Sequence, residues 1–173
     1  MEPTHRGEDA ATVLVVEDDA DIRRLLVHLL SNAGLRCISA ADAEQALALA
    51  HTVEFDLLVT DIHLPGMSGA ELGWRLRQER PALPLVAVTA HLGAWDRDDL
   101  ADLGFSATVR KPLNGAAFVG VCLELLRRPR WPGAKGMTSG LTGDSQDAHT
   151  AHILSGYPHY SRALRPWPEI ARE

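Results

Sequence analysis

Cysteine is scarce in this sequence: Cys37 and Cys122 are the only two among 173 residues. Two thiols cannot staple a fold of this size, and their apolar neighbours read as buried, unpaired thiols in a reducing cytoplasm. Lysine is equally rare, limited to Lys111 and Lys135, and the formal net charge is −6. That balance excludes a protein that holds nucleic acid mainly through a basic surface. No stretch approaches the roughly 18–20 uncharged apolar residues of a membrane span. The opening MEPTHRGEDA is polar and acidic with no apolar core, so no secretory signal is expected. Aromatic residues make up only 5%, but hydrophobic residues reach 46% and charged residues 23%, which excludes a collagen-like or wholly disordered chain. The expectation is a soluble cytoplasmic protein with one ordinary domain and an extension, in contact with neither membrane nor nucleic acid.

Charge and composition both change near residue 128. Residues 1–128 hold 12 Lys/Arg against 19 Asp/Glu, whereas residues 129–173 hold 5 against 4. In that last stretch 10 of 45 residues are Gly or Pro, and apolar periodicity stops. The chain divides into a flexible arm at 1–11, a domain at 12–128 and a tail at 129–173 expected to be disordered. Trp131, Tyr157, Tyr160 and Trp167 read as isolated aromatics of that tail rather than docking anchors. A tail without helical periodicity supplies no DNA-binding output domain.

Within 12–128, short apolar runs alternate with helical patterns. Strands are predicted at 12–16, 35–39, 56–60, 85–89 and 106–110. Helices are predicted at 20–33, 42–50, 69–79, 96–103 and 114–128. Ile22, Leu25, Leu26, Leu29 and Leu30 mark the apolar face of the first helix, and Phe118, Val121, Cys122, Leu125 and Leu126 that of the last. Five strand–helix units predict an α/β fold: a flavodoxin-like doubly wound, five-stranded parallel sheet, order 2-1-3-4-5, with helices on both faces. Ligands of such sheets bind beyond the carboxyl ends of the strands, where the winding direction switches.

The residues at that edge are chemically pointed. Glu17, Asp18 and Asp19 follow the first strand, Asp61 the third, Thr89 and Ala90 the fourth, and Lys111 with Pro112 the fifth. Carboxylates converging from neighbouring strands repel one another unless a cation sits among them, and a hard, oxygen-seeking ion such as Mg²⁺ suits the set. Lys111 adds a positive charge and Thr89 a hydroxyl, a combination suited to phosphoryl chemistry with Asp61 as nucleophile.

The chain resembles the receiver domain of two-component response regulators. The resemblance rests on VLVVEDD (13–19), VTDIHLPGMSG (59–69), VTA (88–90) and RKP (110–112), which span the domain in order. It implies that Asp61 is the phosphoacceptor and that Glu17, Asp18, Asp61 and the His63 backbone carbonyl hold Mg²⁺. Thr89, Ala90 and Lys111 would bind phosphate, with Thr89 as the switch hydroxyl. It further implies a histidine kinase or histidine phosphotransfer protein as donor, and output by partner binding. A homodimer through the last helix–strand–helix face is a further possibility of the family. Phosphoryl uptake and loss would then be the chain's own modification, with no external substrate turned over. One position departs from the pattern: Thr108 stands where the family usually carries Tyr or Phe. Switching through a buried aromatic ring cannot operate here in its usual form, which leaves a phosphorylation-independent interaction scaffold as the alternative.

Plainer readings exist for single residues. Asp19 reads as the cap of the first helix, and Asp61 alone could be a turn former before Pro65 and Gly66. A phosphatase acting on external substrates would need a second Asp where His63 stands. The eight histidines are scattered, and His149 with His152 lack the partners of a zinc site. His63 and His91 each lie two residues beyond a site residue, so both are expected at the pocket rim.

Overall fold

The computed structural model describes residues 10–91 and 97–127, together with the backbone pair His152–Ile153. The tail aromatics and most of the tail lie outside the described residues. Five parallel strands form the sheet: β1 (Thr12–Val16), β2 (Arg36–Ala40), β3 (Leu57–Asp61), β4 (Leu85–Thr89) and β5 (Ala107–Arg110). They lie in the order β2-β1-β3-β4-β5, as expected for a doubly wound sheet. The interleaved helices are α1 (Ala20–Asn32), α2 (Ala43–Ala50), α3 (Gly69–Glu79), α4 (Arg97–Asp102) and α5 (Gly115–Arg127). A sixth strand, β6 (His152–Ile153), pairs antiparallel with β5, setting Ile153 opposite Ala107 and His152 opposite Thr108. The sequence reading assigned no element there. A two-residue strand has no periodicity to read and needs only main-chain donors and acceptors.

Strand alternation sorts the apolar residues into two cores. Leu14, Val16, Leu58, Leu85 and Ala87 face one side, where they pack with Ala46, Leu72, Leu76 and Leu100. Val13, Val15, Leu57, Val59, Val86 and Val88 face the other, against Leu26, Leu30, Phe118 and Leu125. Strands buried on both faces must read as unbroken apolar runs, which is why β1, β3 and β4 were visible in the sequence. Leu25 is the exception to the predicted α1 face: at 47% exposure it lies outside the stripe defined by Ile22, Leu26, Leu29 and Leu30.

Two boundaries moved for identifiable reasons. The Leu35 N–H donates to the Leu30 carbonyl at 3.1 Å, closing the end of α1, so β2 starts one residue later than expected. Asp56 turns its carboxylate to the Thr12 N–H at 2.8 Å, so β3 starts at Leu57 and ends on Asp61 itself. Helix α3 lies close over the sheet. A Cβ on Gly73 would sit 2.5 Å from the Phe105 ring, and one on Gly69 only 1.7 Å from the Asp61 carbonyl oxygen.

Thr108 is fully enclosed on β5 beside Ala87 of β4, and among the described residues its hydroxyl has no hydrogen-bond partner. A buried hydroxyl without a partner costs free energy that an apolar isostere avoids. Thr108→Val is therefore expected to raise stability by about 1 kcal/mol, read as a higher urea midpoint with unchanged slope. A loss of stability would show that the hydroxyl has a partner.

Candidate functional site

The carboxyl edge of the sheet gathers the residues singled out above. Glu17 leaves the end of β1 with its side chain only 1% exposed, and Asp61 ends β3 at 9%. Asp18, beside Glu17, is exposed. One carboxylate oxygen from each of Glu17, Asp18 and Asp61 lies within 4.8 Å of the others. Lys111, just past β5, donates from Nζ to Glu17 Oε2 at 2.8 Å and to Asp61 Oδ2 at 2.6 Å. The Lys111–Pro112 peptide bond is cis. Thr89 ends β4, fully buried, and Ala90 follows it exposed at the same edge.

Local structure holds each group in place. Asp19 caps α1 through Oδ1, which accepts the N–H groups of Asp21 at 2.8 Å and Ile22 at 3.0 Å. Those two bonds hold its carboxyl below the ordinary range. The expectation that Asp19 is a cap agrees with this geometry. Arg23, one turn further, returns its guanidinium to the same loop. Its Nη1 donates to the Glu17 carbonyl at 2.6 Å and the Asp18 carbonyl at 3.3 Å. The sequence reading passed over Arg23, although an arginine one helical turn beyond an acidic loop is a usable signal. The His63 N–H donates to Asp61 Oδ1 at 2.9 Å, so Asp61 accepts from a backbone amide on one oxygen and from Lys111 on the other.

The two histidines meet beside Thr89, at the carboxyl edge of the sheet. The His91 carbonyl accepts from the Thr89 hydroxyl at 2.7 Å and from His63 Nε2 at 2.8 Å, which fixes the proton of His63 on Nε2. The two rings stand 6.2 Å apart. In this arrangement the Thr89 hydroxyl is committed to the loop after β4 rather than to Asp61.

Charge at the site is unevenly compensated. Burial pushes the Glu17 carboxyl above its ordinary range, and the hydrogen bond from Lys111 offsets only part of that rise. Burial also works against the charge of Lys111, but its bonds to Asp61 and Glu17 outweigh this and hold the ammonium above its usual range. Two lone cysteines play no part. Cys122 is buried, with its thiol pushed up to about 12 chiefly by burial, and Cys37 is half-buried. Three converging carboxylates facing one ammonium leave an excess of negative charge that fits a hard divalent cation.

Fold and site together define a doubly wound α/β module with an acidic, lysine-bridged pocket at the switch point of its sheet. The sequence profile described as "Response regulator receiver domain" matches residues 13–121. Sensor histidine kinase RcsC of Salmonella typhi is 32% identical over 130 residues, 73% of this chain and 14% of RcsC. The alkaline phosphatase synthesis transcriptional regulatory protein PhoP of Bacillus subtilis is 34% identical over 116 residues, 67% of this chain and 48% of PhoP. The chain thus spans less than half the length of either relative. Among solved structures, chemotaxis response regulator CheY4 of Vibrio cholerae superposes with a TM-score of 0.62 at 27% identity, covering 67% of this chain and 98% of CheY4. Response regulator TrrA of Thermotoga maritima, solved in complex with Mg(2+)-BeF, gives 0.62 at 29% identity over 66% of this chain and 98% of TrrA. The chain belongs to the response regulator receiver family. Among the described residues no helix is long and apolar enough to cross a membrane.

The raised Glu17 carboxyl makes a signed prediction. A carboxyl that holds its proton more tightly in the folded state contributes stability below pH 4.5, lost as the pH climbs through the raised folded value. In buffer without divalent cations, Glu17→Gln should therefore be more stable than the parent at pH 7, by about 1 kcal/mol, with the gap closing near pH 4. Adding Mg²⁺ should stabilise the parent and leave the variant nearly unmoved. Urea titrations at both pH values, with and without the ion, check both halves.

Proposed function

We propose that Asp61 accepts a phosphoryl group from the phosphohistidine of a histidine kinase or histidine phosphotransfer protein. The observation that carries this reading is the bridge of Lys111 to Asp61 and Glu17 within a cluster of three carboxylates. An Asp61 carboxylate oxygen attacks phosphorus, the P–N bond breaks, and the donor imidazole leaves with the electron pair and takes up a proton. Glu17, Asp18, Asp61 and the His63 backbone carbonyl are the groups that would hold Mg²⁺. The bound ion would neutralise charge on the phosphoryl oxygens. Lys111, Thr89 and the Ala90 amide receive those oxygens, and water later hydrolyses the acyl phosphate. No external substrate is turned over in this reading. The new charge draws Thr89 and Lys111 inward and biases α4, β5 and α5 between two arrangements. Output follows from partner binding on that face, where a homodimer could also form. The domain would act in the cytoplasm as a single-domain regulator.

Incubation with Mg²⁺ and acetyl phosphate should add a phosphoryl mass of about 80 Da, absent in Asp61→Asn and without Mg²⁺. Full-length protein that takes up no phosphoryl group under these conditions would support the second reading, a phosphorylation-independent scaffold. The enclosed Thr108 hydroxyl, in place of the family's aromatic ring, is what favours that alternative.

The His63–His91 contact bridges the loops after β3 and β4, where it would shield an acyl phosphate on Asp61 or orient water toward it. His63→Ala or His91→Ala should shorten the half-life of the phosphorylated protein by about 3-fold or more. Half-lives equal to that of the parent would remove both histidines from the chemistry.

A further inference from the structure

The two edges of the parallel sheet are protected differently. The outer edge, β2, is exposed at Arg36 and Ser39, so a charge stands on it. The opposite edge, β5, reads Ala-Thr-Val-Arg, with Ala107, Thr108 and Val109 all buried and only Arg110 exposed. It contains neither Pro nor Lys, two of the devices that stop an edge strand from pairing with a foreign one.

The chain covers that edge with its own tail. The Ser106 N–H donates to the Leu85 carbonyl at 2.7 Å, so residue 106 turns its main-chain groups toward β4. In a parallel strand the next residue turns them the other way, which leaves the N–H and carbonyl of Ala107 on the outer edge. Ala107 is the residue that Ile153 of β6 sits opposite. The tail thus meets the edge at the one position of the pair where main-chain groups point outward. Twenty-four residues separate Arg127 from His152. Extended, they reach several times the roughly 20 Å length of α5, so the return to the sheet edge is within reach.

We propose that residues 152–153 are an edge guard: by pairing with Ala107 and Thr108 they keep β5 from pairing with β5 of a second copy. Antiparallel pairing of β5 with itself has twofold symmetry, so one exposed edge supplies both halves of the interface.

The test compares full-length protein with Ile153→Pro, which removes the ladder N–H at that position, and with Ile153→Val, which keeps it. At dilutions where Ile153→Pro is still monomeric, hydrogen exchange resolved at single amides should be faster at Ala107 in that variant by about 10-fold or more. It should be unchanged at Ser106, which faces β4. Sedimentation should then show Ile153→Pro dimerising at concentrations where the parent and Ile153→Val stay monomeric. Equal exchange at Ala107 in the parent and Ile153→Pro would overturn the guard, as would faster exchange with no gain in self-association.

Discussion

One ammonium group between two buried carboxylates organises this domain. Lys111 Nζ lies 2.6 Å from Asp61 and 2.8 Å from Glu17, and each carboxylate comes from a different strand. Buried like charges on neighbouring strands would push the sheet edge apart without it. The doubly wound order meets the requirement by setting the ends of β1 and β3 side by side, with β5 close enough for Lys111 to reach across β4. Compensation is incomplete, since two near-buried carboxylates and an exposed third face one positive charge. The residual negative charge is what would let the cluster of Glu17, Asp18 and Asp61 hold a metal ion.

Much of this was legible in the sequence because it follows from period and position. β1, β3 and β4 are buried on both faces and read as apolar runs. Glu17, Asp61, Thr89 and Lys111 stand where such runs stop, and the fold rule for parallel sheets turns strand ends into a site. The rest depended on contacts that no local pattern encodes. Arg23 returns to two carbonyls six and five residues behind it, on a loop whose shape the sequence does not display. The bond from His63 to the His91 carbonyl joins residues 28 apart in sequence. Boundaries slipped by one residue where Leu35 and Asp56 were recruited to close neighbouring elements, and two-residue β6 gave periodicity nothing to act on.

Thr89 and Thr108 show how the same residue type serves different ends on adjacent strands. Both are buried. The Thr89 hydroxyl is satisfied by the main chain of His91, a bond that can be exchanged for another acceptor nearby. The Thr108 hydroxyl meets no partner among the described residues. The family's aromatic ring at this position would fill space and couple to Thr89 by volume. A threonine is too small for that, and at this end of the strands β4 and β5 are joined by the main-chain bond from the Lys111 N–H to the Thr89 carbonyl at 2.9 Å.

The contact between α3 and Phe105 fastens that helix to the segment leading into β5. With no room for even a methyl group between Gly73 and that ring, α3 cannot slide or roll without expelling Phe105 from the core. The same helix meets the Asp61 carbonyl through Gly69, so the backbone at the end of β3 is packed directly against α3. Through these two glycines α3 touches both the end of β3 and the approach to β5, so one helix spans the strands on either side of β4.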